Sequence, residues 1–439
     1  MRFPVIARPL SRAALPVTLL AAFVISSGAA PSDVTDDRYW AQWRGPRATG
    51  VAPLADPPTE WSETSNVRWK KVIPGRSSAS PVVWEDRVFV VTAVADDGST
   101  AAAAGINHKF VVMAIDRETG DTVWERVARE EAPHENAHRE NGTFASGSAV
   151  TDGELVIASF ESRGFYAYDM DGTLVWEKDL GDKRMRNQFG EGNSPALYGD
   201  RLVVNWDHQG QSFIVALDKR TGEELWRTDR DEIDSWSTPL IVEVDGRPQV
   251  ITGAMNQIQS YDLETGDVIW HTTGLTMNPI PSPVAGDGMV FLTSGYRGNS
   301  LKAIRLADAT GDITDTDAIA WTYERDTPYV PSPLLYDGIL YVLKSNNGIL
   351  STFDARTGDP HYLTQRLDAV PNVFASPVGA AGRVYIPGRE GDTLVLKNGP
   401  TFEVLAINSL DDGFDASPAL VDGEIYLRGY RYLYCIAAD

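Results

Sequence analysis

A single cysteine, Cys435, stands near the end of the 439-residue sequence. One thiol excludes an internal disulfide and a CxxCH haem attachment. It reads instead as a small buried hydrophobe in the last strand. Positive charge is scarce as well. The 39 Lys and Arg residues face 61 Asp and Glu, for a formal charge of −22. An acidic surface repels phosphate backbones and anionic headgroups, so nucleic acid and membrane surfaces are poor partners. Helical periodicity is missing throughout. There is no GxSxG elbow, P-loop or HExxH motif. Acids are too common for any pair to be singled out as a glycosidase dyad.

Long apolar runs are absent beyond the first thirty residues. There, Arg2, Arg8 and Arg12 precede an apolar stretch, Ala13–Ile25, and then the small residues Ser26–Ala30. That order reads as a secretory signal peptide over residues 1–30, with cleavage near Ala29 or Ala30. An uncleaved anchor is the alternative, although the run is short and contains Pro16. No cysteine lies near the cleavage point to carry lipid. The mature protein is therefore expected in a periplasm or outside the cell, with no membrane span.

What is present is a repeat. AIDRETGDTVW (Ala114–Trp124), ALDKRTGEELW (Ala216–Trp226) and SYDLETGDVIW (Ser260–Trp270) are one phrase, with a looser copy at Ala167–Trp176. Each copy follows a small-residue segment and an alternating apolar run. The starts align on Ser80-Pro81, Ser148-Ala149, Ser194-Pro195, Thr238-Pro239, Ser282-Pro283, Ser332-Pro333, Ser376-Pro377 and Ser417-Pro418. Successive spacings are 68, 46, 44, 44, 50, 44 and 41 residues. Insertions at Asp96–His108 and Arg129–Asn141 lengthen the first.

Inside each unit, Gly/Asp turns join the first two strands and D-x-x-T-G turns join the last two. Four short strands per unit of about 40–45 residues give a β-propeller blade. The eighth unit has room for three strands. The segment Asn66–Val72, which carries Trp69, supplies the fourth and leaves no free edges at the seam. The fold class is thus all-β: an eight-bladed propeller of four-stranded antiparallel blades, closed by the N-terminal strand. Residues 31–65 form a lead-in segment and residues 66–439 the propeller. In blade six His361 stands where Trp is expected, and blade seven has lost its T-G turn.

These phrases resemble the repeat of pyrroloquinoline-quinone (PQQ) enzymes, whose A-x-D-x-x-T-G-x-x-x-W pattern docks one blade on the next. The resemblance implies a structural, blade-docking role for Trp69, Trp124, Trp176, Trp226, Trp270 and Trp321. The segment Trp40–Val51, WAQWRGPRATGV, looks like the start of PQQ-like propellers of bacterial envelopes, many of them named after BamB, the outer-membrane assembly factor. The sequence departs from the quinoprotein dehydrogenases in lacking their adjacent cysteine pair and their length. It departs from BamB-type lipoproteins in lacking the acylated cysteine.

Blade-connecting loops and the loops between second and third strands share one face of a propeller. Nearly everything unusual falls there. The candidates are His134, His138 and Asn141 between blades one and two, and Arg186, Glu191 and Asn193 between two and three. Trp206, Asp207, His208 and Gln209 lie in blade three, Arg297 in blade five and Arg389 in blade seven. A solvated rim accounts for these residues. So does a pocket for a small anion or a peptide on Arg186, Arg297 and Arg389. A metal site on His134, His138, Asp207 or His208 is a third reading. The resemblance adds a fourth: PQQ with Ca²⁺ on Glu191, Asn193 and Asp415.

Two functions follow. One is a monomeric, non-catalytic scaffold without a cofactor, binding an envelope protein or a small ligand through this face. The other is a PQQ-dependent dehydrogenase of an alcohol or sugar.

Overall fold

Alternating, β-branched runs separated by Gly/Asp turns leave the chain little choice but short antiparallel strands. A computed structural model describes residues 1, 2, 4, 36–100 and 102–438. Apart from three residues, the expected signal peptide lies outside the described residues. No described helix is long and apolar enough to cross a membrane.

The described strands form eight sheets. Seven follow the chain as meanders, and the eighth pairs Val67–Val72 with Tyr432–Ala437. Trp69 lies opposite Cys435 and Val72 opposite Tyr432, so the two ends of the chain close the ring. Blade four carries a fifth strand, Gly311–Asp312, parallel to Trp270–His271. Cys435 is fully buried in the seam, where burial pushes its thiol up to about 12.

The repeated phrase works locally and then between blades. Asp116 Oδ1 accepts the amides of Glu118 and Thr119 at 3.0 and 2.9 Å, which folds the turn. Those bonds hold the Asp116 carboxyl below its usual range. Gly120 follows at φ +77°, flat against the Trp69 ring, where a Cβ would collide. The indole N–H of each docking tryptophan then reaches a carbonyl of the next blade. Trp69 bonds Arg117 O at 3.0 Å, Trp124 bonds Met170 O at 2.9 Å and Trp176 bonds Lys219 O at 2.7 Å. Trp226 bonds Leu263 O at 2.8 Å and Trp321 bonds Ala355 O at 3.0 Å.

Trp270 is the exception. It is wholly buried, yet its Nε1 has no partner. The insertion in blade five covers it with Leu306, Ala309, Ile313 and Ala318, so apolar packing replaces the hydrogen bond. In blade six the tryptophan position falls to Tyr362 and not to His361, since Tyr362 lies opposite Thr352 as Trp321 lies opposite Ala303; it stands edge-on to Phe402 of blade seven at 5.9 Å.

The aligned Ser/Thr residues form a ring around the axis. Ser80 N–H donates to Ser148 Oγ, Ser148 to Ser194, Ser194 to Thr238, and Thr238 to Ser282. The series continues through Ser332 and Ser376 to Ser417. Each hydroxyl except that of Ser80 thus satisfies a buried amide of the blade before it.

Below this ring the lead-in segment crosses the channel. Trp40 pairs with Val83, Ala41 O accepts Thr151 N–H at 2.8 Å, and Gly50 O accepts Gly379 N–H at 2.8 Å. All three contacts fall three residues past a ring position, about 10 Å toward the opposite face at strand rise. Arg44 is buried among carbonyls, donating to Pro377 O at 2.6 Å and Pro333 O at 2.8 Å. Trp40, Ala52, Ala55 and Trp61 join the core of the blades around the seam.

Candidate functional site

Because the lead-in segment closes one end of the channel, the other end is a blind funnel. Its cavity measures about 240 Å³. Trp43 is the floor: its indole N–H donates to ring Ser282 Oγ at 3.1 Å. A second cavity of about 370 Å³ lies beyond it, and the two share Trp43, Thr238 and Ser282.

The wall is built from one position per blade, two residues before each ring hydroxyl. Blades one to three place Ser78, Ser146 and Gly192 there, blades four to seven Trp236, Ile280, Val330 and Phe374, and blade eight Asp415. One side of the funnel is therefore apolar. Trp236 is anchored by its N–H on Gly190 O at 2.7 Å, and Phe374 lies under the Arg389 guanidinium at 4.2 Å. Tyr329 completes this side, stacked on Tyr296 at 4.8 Å. Opposite stand His138, Asn141 and Glu191 from the connections of blades one to three.

Three of the sequence candidates, His138, Asn141 and Glu191, line the funnel. His138 Nδ1 accepts the amides of Asn141 and Glu140 at 3.3 and 3.4 Å, which leaves the ring proton of the neutral imidazole on Nε2. Glu191 is held by Arg163 at 2.8 Å and by Ser162 N–H at 2.9 Å.

The remaining candidates serve the fold or stand outside the funnel. Trp206 is buried between Phe165 and Phe213. Asp207 makes a fully buried pair with Arg230 at 2.8 Å. His208 accepts Arg184 N–H at Nδ1, 3.0 Å, and burial keeps its pKa below the usual range. Gln209 is exposed and bonds Arg184 O through its amide. His134 bonds Lys183 O at 2.7 Å. Arg186 is tied to Asp234 at 3.0 Å and Arg389 to Asp415 at 2.7 Å. Arg297 is exposed beside Tyr296. The anion pocket on these three arginines is not assembled, because two are neutralised and none lines the cavity. No set of three His, Cys, Asp or Glu side chains among the described residues is placed to share a metal ion.

The oxygen donors a calcium ion would need are also engaged. Lys183, fully buried, holds Asn193 Oδ1 at 3.2 Å and sits 4.5 Å over the Trp206 ring. The same ammonium pairs with Glu161 at 2.5 Å, whose carboxyl burial pushes up to about 7. Glu191 has Arg163 and Asp415 has Arg389. No lysine or arginine lines the funnel to receive the three carboxylates of PQQ. The residues present do not fit the quinone with its calcium.

Similarity searches place this geometry among known proteins. A family model described as outer membrane protein assembly factor BamB matches residues 108–272 and 210–438. The BamB of Francisella salina is 29% identical over 105 residues, covering 24% of this chain and 18% of that protein. Methanol dehydrogenase subunit 1 of Methylobacterium organophilum is 25% identical over 144 residues, covering 28% of this chain and 22% of that protein. The matches thus span about a fifth of the relatives' lengths. Among solved structures, BamB from Moraxella catarrhalis aligns with a TM-score of 0.56 at 13% identity, over 84% of this chain and 96% of that one. A europium-containing methanol dehydrogenase gives 0.64 at 10% identity, over 91% of both. At such identities the likeness is one of fold. The eight-bladed ring, its repeated docking phrase and a family match reaching from residue 108 to residue 438 lead to one conclusion: the chain belongs to the BamB-like family of PQQ-repeat propellers.

Proposed function

We propose that this is a non-catalytic binding propeller acting outside the cytoplasm, which takes its ligand in the blind funnel on the face of blade-connecting loops. One observation carries the reading. Every candidate calcium ligand, two at the funnel and Asn193 buried behind it, already carries a cation of the protein's own: Lys183 on Asn193, Arg163 on Glu191 and Arg389 on Asp415. Seating a calcium ion there would mean competing with these cations, and at Glu191 it would mean breaking a largely buried pair with Arg163. Breaking a buried pair costs about 3–5 kcal/mol. The PQQ dehydrogenase reading would require that cost at Glu191, together with loss of the Lys183 and Arg389 contacts at Asn193 and Asp415.

What remains is well suited to binding. A concave, largely apolar wall with a few converging polar groups is the usual make-up of a small-molecule site. Arg163, Arg186 and Arg389 are held in internal pairs, so they rigidify the rim. A partner in the envelope would meet that rim, and a small ligand would meet the funnel. The test is a dye-linked oxidation assay of the mature protein after incubation with PQQ and Ca²⁺, over primary alcohols and aldoses. Turnover no higher than the protein-free control supports the reading. Quinone- and calcium-dependent turnover abolished by Glu191→Ala overturns it.

A further inference from the structure

The hydrogen-bond accounting of the funnel points to a chemical class of ligand. Six ring hydroxyls line the cavity: Ser194, Thr238, Ser282, Ser332, Ser376 and Ser417. Each accepts an amide N–H from the preceding blade. None has an acceptor for its own proton among the described residues. A hydroxyl carries one donor besides its lone pairs, so six O–H donors converge on the axis unspent. His138 adds Nε2–H, since its Nδ1 is occupied by amides. Asn346 adds its NH₂, since its Oδ1 accepts Val330 N–H at 3.0 Å. The Asn141 side-chain amide has no protein partner in either role among the described residues.

A ligand here must offer many acceptors around its edge. It must also present an apolar face, because Trp236, Ile280, Val330 and Phe374 fill one side. An anion offers acceptors in plenty but faces Glu191 and Asp415 with no unpaired cation to favour it. A polypeptide has no groove to run along, because Trp43 closes the floor. A cavity of about 240 Å³ falls below the range of about 300–1,000 Å³ for sites of drug-sized molecules.

We infer that the funnel binds a neutral saccharide unit, one pyranose ring in size. Its C–H face lies on the apolar wall of blades four to seven. Its rim oxygens accept from the hydroxyl ring, His138, Asn141 and Asn346, and its own hydroxyls donate to Glu191 and Asp415. The inference rests on the reading of the funnel as a binding site without quinone.

The test is a titration of the full mature chain with methyl α-D-glucopyranoside, methyl α-D-galactopyranoside and N-acetylglucosamine. Calorimetry and tryptophan fluorescence provide the readouts, because Trp43 and Trp236 face the cavity. Sodium acetate and benzoate serve as anionic probes. At least one saccharide is expected to saturate at one per chain below about 20 mM, a dissociation constant in the millimolar range or better. Asn141→Ala, which removes no bond of the fold, is expected to weaken it about tenfold, the effect of one hydrogen bond to a ligand. Trp236→Ala is expected to weaken binding and to reduce the fluorescence change, leaving only what Trp43 reports.

No saccharide binding by folded protein at that concentration overturns the inference. So does binding of the anions alone, or saccharide binding indifferent to both substitutions. PQQ with Ca²⁺ is titrated into the same sample. Failure of the saccharides without quinone binding sinks this inference only, whereas quinone binding sinks the reading beneath it.

Discussion

The amide of Ser80 donates to the hydroxyl of Ser148 at 2.9 Å, and the hydroxyl of Ser80 itself has no partner. That pair begins a series of seven blade-to-blade bonds which ends at Ser417. The eighth link, from Ser417 back to Ser80, is missing. Closure at the seam falls to the outer strand, where Val67–Val72 pairs with the end of the chain.

Ser148→Ala and Ser376→Ala should each lower stability by about 1 kcal/mol, since each leaves a buried amide unpaired. Ser80→Ala should leave stability unchanged or raise it, because it removes a buried hydroxyl that bonds nothing. Denaturant midpoints at constant slope measure the difference.

The tryptophans separate in the same manner. Trp226→Phe loses the bond to Leu263 O and is expected to cost about 1 kcal/mol more than Trp270→Phe, whose indole N–H is already unpartnered. Thermal melts of the two variants check this. Equal losses would mean that docking is apolar packing alone.

Gly50 holds the channel plug. Its φ of +86° disfavours any other residue, and a Cβ there would run into the Arg44 guanidinium. Gly50→Ala should destabilise the protein by about 2 kcal/mol or more, combining backbone strain with displacement of a buried cation. Ala52→Gly, in the same segment, is expected to cost less.

Glu232 supplies a pH dependence. It is buried, accepts the amides of Asn256 and Gln257, and burial pushes its carboxyl up to about 7. The folded state therefore binds its proton more tightly than the unfolded chain. Its favourable contribution is complete below about pH 4.5 and is lost as pH rises through about 7. Relative to the wild type, Glu232→Gln should gain stability across that window, by up to about 3 kcal/mol. Parallel melts at pH 5 and pH 8 give the comparison.

The fold was legible because one phrase recurs with its turn chemistry intact, and because Asn66–Val72 had to complete a three-stranded last blade. The fifth strand of blade four was not, since Gly311–Asp312 has no strand pattern and pairs only because an insertion folds back over Trp270. The candidate residues do not gather at one place: only His138, Asn141 and Glu191 line the funnel. His134, Asp207, His208 and Arg186 are conspicuous in sequence, but their partners Lys183, Arg230, Arg184 and Asp234 lie far along the chain or read as loop charge. The wall was present in the alignment of Ser/Thr-Pro starts, two residues upstream in every repeat. Trp236 and Phe374 stand there, and a column read down the repeats would have found them. Trp43 could not be found that way, because it comes from a segment outside the repeat that reaches the axis only in three dimensions.

The most direct test of the central claim is calorimetric titration of the mature protein with PQQ, with and without excess Ca²⁺. With Lys183, Arg163 and Arg389 occupying the oxygen donors, no binding heat is expected up to high micromolar quinone, with or without calcium. Tight, one-to-one, calcium-dependent binding would contradict the account and make this propeller a quinoprotein.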